Sequence, residues 1–287
     1  MENRSHSTGS RTITVDSQAP IGVFDSGMGG LTVLQALRNA LPDEHFLYLG
    51  DTARLPYGTK SRDTVQRYAV QATRILAARG IKALVVACNT ASAVALDELT
   101  RHYAPLPVFG VVDPGAEAAA AIAGNGRVLV LATESTVSGG AYQRALLSRR
   151  SNLQVLARPC PLLVALAEEG RHDGPLVDLV LTEYLRGGAR PAVTVLLGCT
   201  HFPVFRSAIE RLLRGTGAPD ASASTVVDSA ATTAAALSAE IAAGHLPAAA
   251  AGPGSLTLLA TDGRERFQRV GRYFLGHAID NVELVDL

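Results

Sequence analysis

From Ile21 onward, short apolar runs alternate with longer amphipathic stretches, the pattern of strand and helix in a parallel α/β protein. Four strands are predicted in the first half: IGVFDSG (21–27), HFLYLGD (45–51), KALVVACNT (82–90) and PVFGVVDPG (107–115). The pattern then begins again with RVLVLATES (127–135), LQVLARPC (153–160), TVLLGCTH (194–201) and STVVDSA (224–230). Thr133 follows Asp25 by 108 residues, Cys199 follows Cys88 by 111, and Asp228 follows Asp113 by 115. Residue identity supports the offset: ACNT answers GCTH at one strand end, and VVDPG answers VVDSA at another. A duplicated α/β domain is therefore expected, its copies related by a pseudo-two-fold axis that sets equivalent strand ends face to face.

The segments outside this repeat are polar or of low complexity. Residues 1–17 read as a flexible leader, GTGAPDASAS (215–224) as a connector, and AGHLPAAAAGPGS (243–255) as a surface loop. The remainder, LTLLATDGRERFQRVGRYFLGHAIDNVELVDL, reads as strand, helix and short strand with no counterpart in the first half. It must pack on one of the two domains, and periodicity does not say which.

A chain of 287 residues, at roughly 150 per domain, fits this two-domain reading. Its 26 basic and 26 acidic side chains balance, which argues against nucleic acid or an anionic membrane as partner and for a small-molecule substrate. No apolar run approaches the roughly 18 residues of a membrane span, and the N-terminus has no signal-peptide core. Three widely spaced cysteines, Cys88, Cys160 and Cys199, suit a reducing cytoplasm better than a disulfide framework. Lysine occurs only at Lys60 and Lys82, so a pyridoxal phosphate Schiff base has just two possible sites.

In open α/β sheets ligands bind beyond the carboxyl ends of the strands. The polar residues expected there are Asp25 and Ser26, Asp51, Cys88 with Asn89 and Thr90, and Asp113 in the first half. In the second they are Thr133, Cys160, Cys199 with Thr200 and His201, and Asp228. Cys88 and Cys199 each stand in a predicted strand-to-helix turn, where the helix dipole favours thiolate, so both are expected below the ordinary value of about 8.5. Two such groups on opposite faces of a carbon could remove a proton from one side and deliver one to the other, inverting a stereocentre. The glycines of VFDSGMGG allow positive φ and could bring amides to a substrate carboxylate. They match neither a P-loop nor G-x-G-x-x-G, and Cys88, Cys199 and His201 fit no standard zinc spacing. Cys160 reads as structural. A thiol hydrolase or lyase using one cysteine with His201, and a two-lobed amino-acid-binding module, remain open on these residues alone.

IGVFDSGMGGLTVL, YLGDTARLPYGTKS, VVACNTASA, VDPG and LLGCTHFP, in this order, closely resemble the glutamate racemases of the aspartate/glutamate racemase family. The resemblance runs from about Ile21 to Leu287. It implies two flavodoxin-like α/β domains with the active site in the cleft, and a cofactor-independent enzyme that makes D-glutamate for peptidoglycan. The domains it implies are 18–112 with 226–287, carrying Cys88, and 113–225, carrying Cys199, so the C-terminal segment returns to the first. Motif by motif, Cys88 corresponds to the thiol acting on D-glutamate and Cys199 to the one acting on L-glutamate. Asp25 would assist Cys88; His201 and Glu168 would assist Cys199. Substrate contacts would come from Asp25, Ser26, Tyr57, Gly58, Asn89, Thr90, Thr200 and His201, with Thr133 or Thr136 beside them; no metal is implied, and a homodimer is compatible. Ala165 and Gly139 depart from the family's frequent proline and serine, at positions expected to leave the chemistry intact.

Overall fold

The computed structural model describes residues 16–186, 193–215 and 224–287. The leader before residue 16 and most of the expected 215–224 connector lie outside the described residues. The first half runs β1 (Ile21–Asp25), α1 (Leu31–Ala40), β2 (Phe46–Gly50), α2 (Arg62–Ala78), β3 (Ala83–Val86), α3 (Asn89–Tyr103), β4 (Val108–Gly110) and α4 (Val112–Ala123). The second runs β5 (Arg127–Ala132), α5 (Glu134–Ser138), α6 (Ala141–Arg149), β6 (Gln154–Pro159), α7 (Pro161–Glu168), α8 (Pro175–Leu185), β7 (Val193–Gly198), α9 (Arg206–Arg214) and β8 (Thr225–Asp228). The chain closes with α10 (Ser229–Ala242), β9 (Leu256–Ala260), α11 (Arg264–Leu275) and β10 (Glu283–Leu284).

Two parallel sheets result. Their orders are β10-β9-β2-β1-β3-β4 and β6-β5-β7-β8, so the first four strands of each half are arranged identically. This is the duplication expected from the repeated spacing. The extra strand β9 pairs with β2 in parallel, which puts the C-terminal segment on the first sheet. β8 belongs whole to the second sheet, so the boundary expected at 225/226 falls inside a strand.

Alternation along the strands sorts the core. Ile21 and Val23 of β1, Ala83 and Val85 of β3, and Leu129, Leu131, Val195 and Leu197 of the second sheet join one cluster that spans both halves. The intervening residues face away from it: Phe24, Leu84 and Val86 pack under α2 and α3, while Val128, Val130 and Leu196 pack under α4 and α6. Buried on both faces, these strands read as continuous apolar runs, as parallel strands should. α10 leaves the second sheet and lies along α1 of the first half, joining the lobes.

One expected strand ends early. VVDPG was expected to extend β4, but α4 begins at Val112 and holds Asp113 and Pro114 in its first turn. Proline is tolerated there because its missing amide has no helical partner, and an acid is favoured by the helix dipole. Asp113 thus points to Arg149 at 3.0 Å on the surface and plays no part in the cleft.

Candidate active site

A cavity of about 300 Å³ opens between the carboxyl ends of the two sheets, and both Cys88 and Cys199 line it. Four strand ends contribute a residue expected there: Ser26 follows β1, Cys88 follows β3, Thr133 follows β5 and Cys199 follows β7. The first lobe adds Gly58, Asn89 and Thr90; the second adds Glu168, Thr200 and His201. Sequence pattern did not single out Leu55, Pro56, Thr59 or Glu134, nor Pro161 and Val164, which form a wall with Ala165 on α7. These are ordinary loop and helix residues that become cavity wall only where the lobes meet. Ala165, which lies off the thiol motifs in the sequence, faces the same cavity as the thiols.

The Cys88 half is built within one lobe. Cys88 caps α3: its Sγ accepts from the Ala91 amide at 3.5 Å and donates to Ser26 Oγ at 3.4 Å. Despite this position the expectation of an acidic thiol is overturned for Cys88. Burial and the charge of Asp25 push it up to about 12, outweighing the capping and serine hydrogen bonds. Asp25 does not line the cavity; it is fully buried behind it, with Oδ2 accepting from the Gly27 amide at 2.9 Å. Its Oδ1 has no hydrogen-bond partner among the described residues, and burial raises its pKa against the opposing influence of His201.

The Cys199 half is built as a chain of contacts. Cys199 Sγ lies 3.8 Å from His201 Nδ1, and His201 Nε2 lies 3.1 Å from Glu168 Oε1. Cys199 is followed by a turn and a 3-10 segment, Phe202–Phe205, before α9 begins, so no α-helix starts directly at it as one does at Cys88. Pro203 stands in the first turn of that 3-10 segment. Burial opposes a charged His201, yet the hydrogen bonds and negative charges of Cys199 and Glu168 prevail and push it up to about 10. Burial likewise opposes a charged Glu168, but His201 and Arg266 hold it below the usual carboxylate range.

A folded-state His201 near 10, against about 6.5 when unfolded, contributes stability that is complete below pH 6.5 and lost as pH rises through 10. The raised Cys88 acts in the same direction between about 9 and 12. Urea midpoints should therefore fall from pH 6.5 to pH 10, and His201→Gln should flatten that fall. A midpoint that holds constant or rises over this window refutes the assignment.

Other expected residues serve as struts. Thr90 Oγ1 meets Thr133 Oγ1 at 3.0 Å and Thr136 Oγ1 at 3.3 Å, which hydrogen-bonds one lobe to the other at the cavity wall. Asn89 accepts from Tyr142 at 2.6 Å and donates to Ser229 at 3.4 Å. Tyr57 departs from expectation: its ring is buried and does not line the cavity, and its hydroxyl donates to Asp51. Asp51, also a candidate, is consumed by Tyr57, by Arg54 at 2.7 Å and by Thr261 at 3.0 Å, and so holds the loop that carries Gly58. Asp228 caps α10 and pairs with Arg206, and Cys160 is fully buried at the start of α7.

The glycines after Asp25 differ from expectation in their reason. Among the described residues positive φ is found at nine glycines, Gly27, Gly29 and Gly30 not among them. What demands glycine is close approach: a Cβ on Gly29 would stand 2.3 Å from His201 Nδ1, and one on Gly58 would stand 2.8 Å from Thr133 Cβ. Both contacts cross from lobe to lobe, so small residues let the cleft close.

Among the described residues no helix is long and apolar enough to cross a membrane. The chain matches the family model described as Asp/Glu/Hydantoin racemase over residues 21–237. It is 40% identical over 260 residues to a glutamate racemase of Aquifex aeolicus, covering 91% of this chain and 95% of that one. Among solved structures, the glutamate racemase of Thermus thermophilus in complex with β-chloro-D-alanine is 42% identical with a TM-score of 0.83, covering 95% of this chain and 98% of that one. The Francisella tularensis glutamate racemase in complex with D-glutamate is 33% identical with a TM-score of 0.83, covering 94% and 98%. With matching sequence over most of its length and a matching fold, this chain belongs to the Asp/Glu/Hydantoin racemase family.

Proposed function

We propose that this protein is a glutamate racemase that interconverts L- and D-glutamate through two cysteine bases, without a cofactor, and supplies D-glutamate for peptidoglycan. The observation that carries the reading is that Cys88 and Cys199, from equivalent strands of the two halves, line one cavity. In one direction the Cys199 thiolate takes the α-proton of L-glutamate while the Cys88 thiol gives its proton to the opposite face. In the other direction the roles exchange, with Cys88 acting on D-glutamate.

Each thiol has its own proton acceptor. His201, backed by Glu168, holds the proton that Cys199 must lose before it can act as base. Asp25, whose raised pKa makes it more basic than an ordinary aspartate, plays the same part for Cys88. Its charge and that of a Cys88 thiolate repel, so protonating Asp25 favours the thiolate. Hydroxyls of Ser26, Thr90, Thr133 and Thr200 and the amides at the head of α3 would hold the substrate carboxylates. Tyr57 and Gly58 act through the backbone of their loop, with the Tyr57 ring as its anchor.

Pyridoxal chemistry fits this site poorly, since neither lysine lines the cavity. Lys82 precedes β3, at the opposite end of the sheet from Cys88. The barrier to α-proton removal would then be lowered by positioning, by hydrogen bonds to the carboxylate and by exclusion of water.

Incubating the purified protein with L-glutamate in D₂O, with no cofactor added, tests the reading. Optical activity should decay to zero as deuterium replaces the α-proton. Binding without exchange would leave a non-catalytic module, and faster turnover of L-aspartate would reassign the substrate.

A further inference from the structure

The two halves of the site are not supported alike. Cys88, Ser26, Asp25 and Ala91 all belong to the first lobe. On the Cys199 side, three groups are braced from α11, which follows β9 of the first sheet. Arg266 Nη2 donates to Glu168 Oε2 at 2.6 Å. The Phe274 ring stands edge-on to the His201 ring at 5.0 Å. The Tyr273 ring meets His172 at 5.6 Å and fills the space a side chain on Gly170 would need. Residues 266, 273 and 274 stand seven and eight apart, the spacing of a single helix face two turns on.

We propose that Arg266 is a positioning residue for the Cys199 half-reaction: by holding one oxygen of Glu168 from the opposite lobe, it aims the other at His201. This rests on the two-thiol reading above. Glu168 is the last residue of α7, where a free side chain could turn to solvent, and its two oxygens are divided between Arg266 and His201. The groups that meet here are Cys199 after β7, His201, Glu168 and Arg266, with Asp25 of β1 acting on His201 through its charge. Because the Arg266 side chain is 47% exposed, the ion pair adds little to folding stability. Its contribution is orientation. The Cys199 half is thus complete only when the first lobe's last long helix is seated against the second lobe, whereas the Cys88 half needs no such seating.

Arg266→Met tests this through isotope effects. Losing the brace should slow proton transfer at Cys199 alone and lower kcat about tenfold. The isotope effect with α-deuterated L-glutamate should rise, because its deprotonation by Cys199 becomes more rate-limiting. That with α-deuterated D-glutamate should fall, because its deprotonation by Cys88 is no longer the slow step. Arg266→Lys should recover most of the loss, since one N–H donor suffices, and Arg269→Met on the same helix should leave kinetics and isotope effects unchanged. A purely structural Arg266 would leave both isotope effects at wild-type values, or move them together, and either outcome overturns the proposal. A wild type that does not racemise, or a Cys199→Ser variant that still does, instead defeats the two-thiol reading itself.

Discussion

Replacing either Cys88 or Cys199 by serine should lower racemisation by about 10²- to 10⁴-fold, the scale of losing a positioned general acid–base group. A serine hydroxyl keeps the shape and the hydrogen bond to Ser26 or His201 but is far too weak an acid to form the required base. Both substitutions should be equally severe, because each direction of reaction uses one group as base and the other as acid. Circular dichroism at fixed wavelength follows the racemisation, and proton NMR in D₂O follows exchange at the α-carbon. A single-cysteine hydrolase or lyase would instead tolerate Cys88→Ser with substantial activity. That result would sink the two-base mechanism, whatever the sequence similarity to racemases.

The largest stability effect is expected far from the cleft. Lys82 Nζ lies 2.6 Å from Glu44 Oε2, with the two side chains 0% and 4% exposed. The same ammonium donates to the carbonyls of Ser17 and Pro247 at 2.8 Å each, and Glu44 Oε1 accepts from the Ala249 amide at 2.8 Å. This network fastens the start of the described chain and the Ala-rich loop to the amino end of the first sheet. Lys82→Met should cost about 3–5 kcal/mol, because it leaves a carboxylate buried without its cation. Lys82→Met with Glu44→Leu should recover only part of that loss: no buried charge is left unpaired, but the Ser17 and Pro247 carbonyls and the Ala249 amide lose their partners. Urea unfolding with unchanged slope measures both, while activity per folded molecule stays at the wild-type level. A Lys82→Met variant as stable as wild type would show that water reaches the carboxylate.

This network also marks where the sequence was silent. AGHLPAAAAGPGS reads as a loop by composition, yet its anchoring depends on Glu44 and Lys82, some two hundred and one hundred and sixty residues earlier in the chain. Tyr57 gives the same lesson at the site. Its motif marks the position, but only the fold shows the hydroxyl on Asp51 and the ring turned from the cavity. The acidity of Cys88 departs from the local pattern for a related reason. Capping a helix is a local property visible in the sequence, whereas burial and the approach of Asp25 are not.

The sequence alone determined the strands, their duplication and the two cysteines at matched strand ends, because periodicity and spacing are local properties that survive without a partner surface. Tertiary structure decided which hydrophobic faces merge into one core, which lobe receives the C-terminal helix, and which ordinary residues become cavity wall. It also decided the protonation of the Cys88 thiol, since that depends on how much water and which charges surround the sulfur. Contacts between residues such as Glu168 and Arg266, ninety-eight positions apart, leave no pattern along the chain and exist only once the lobes close.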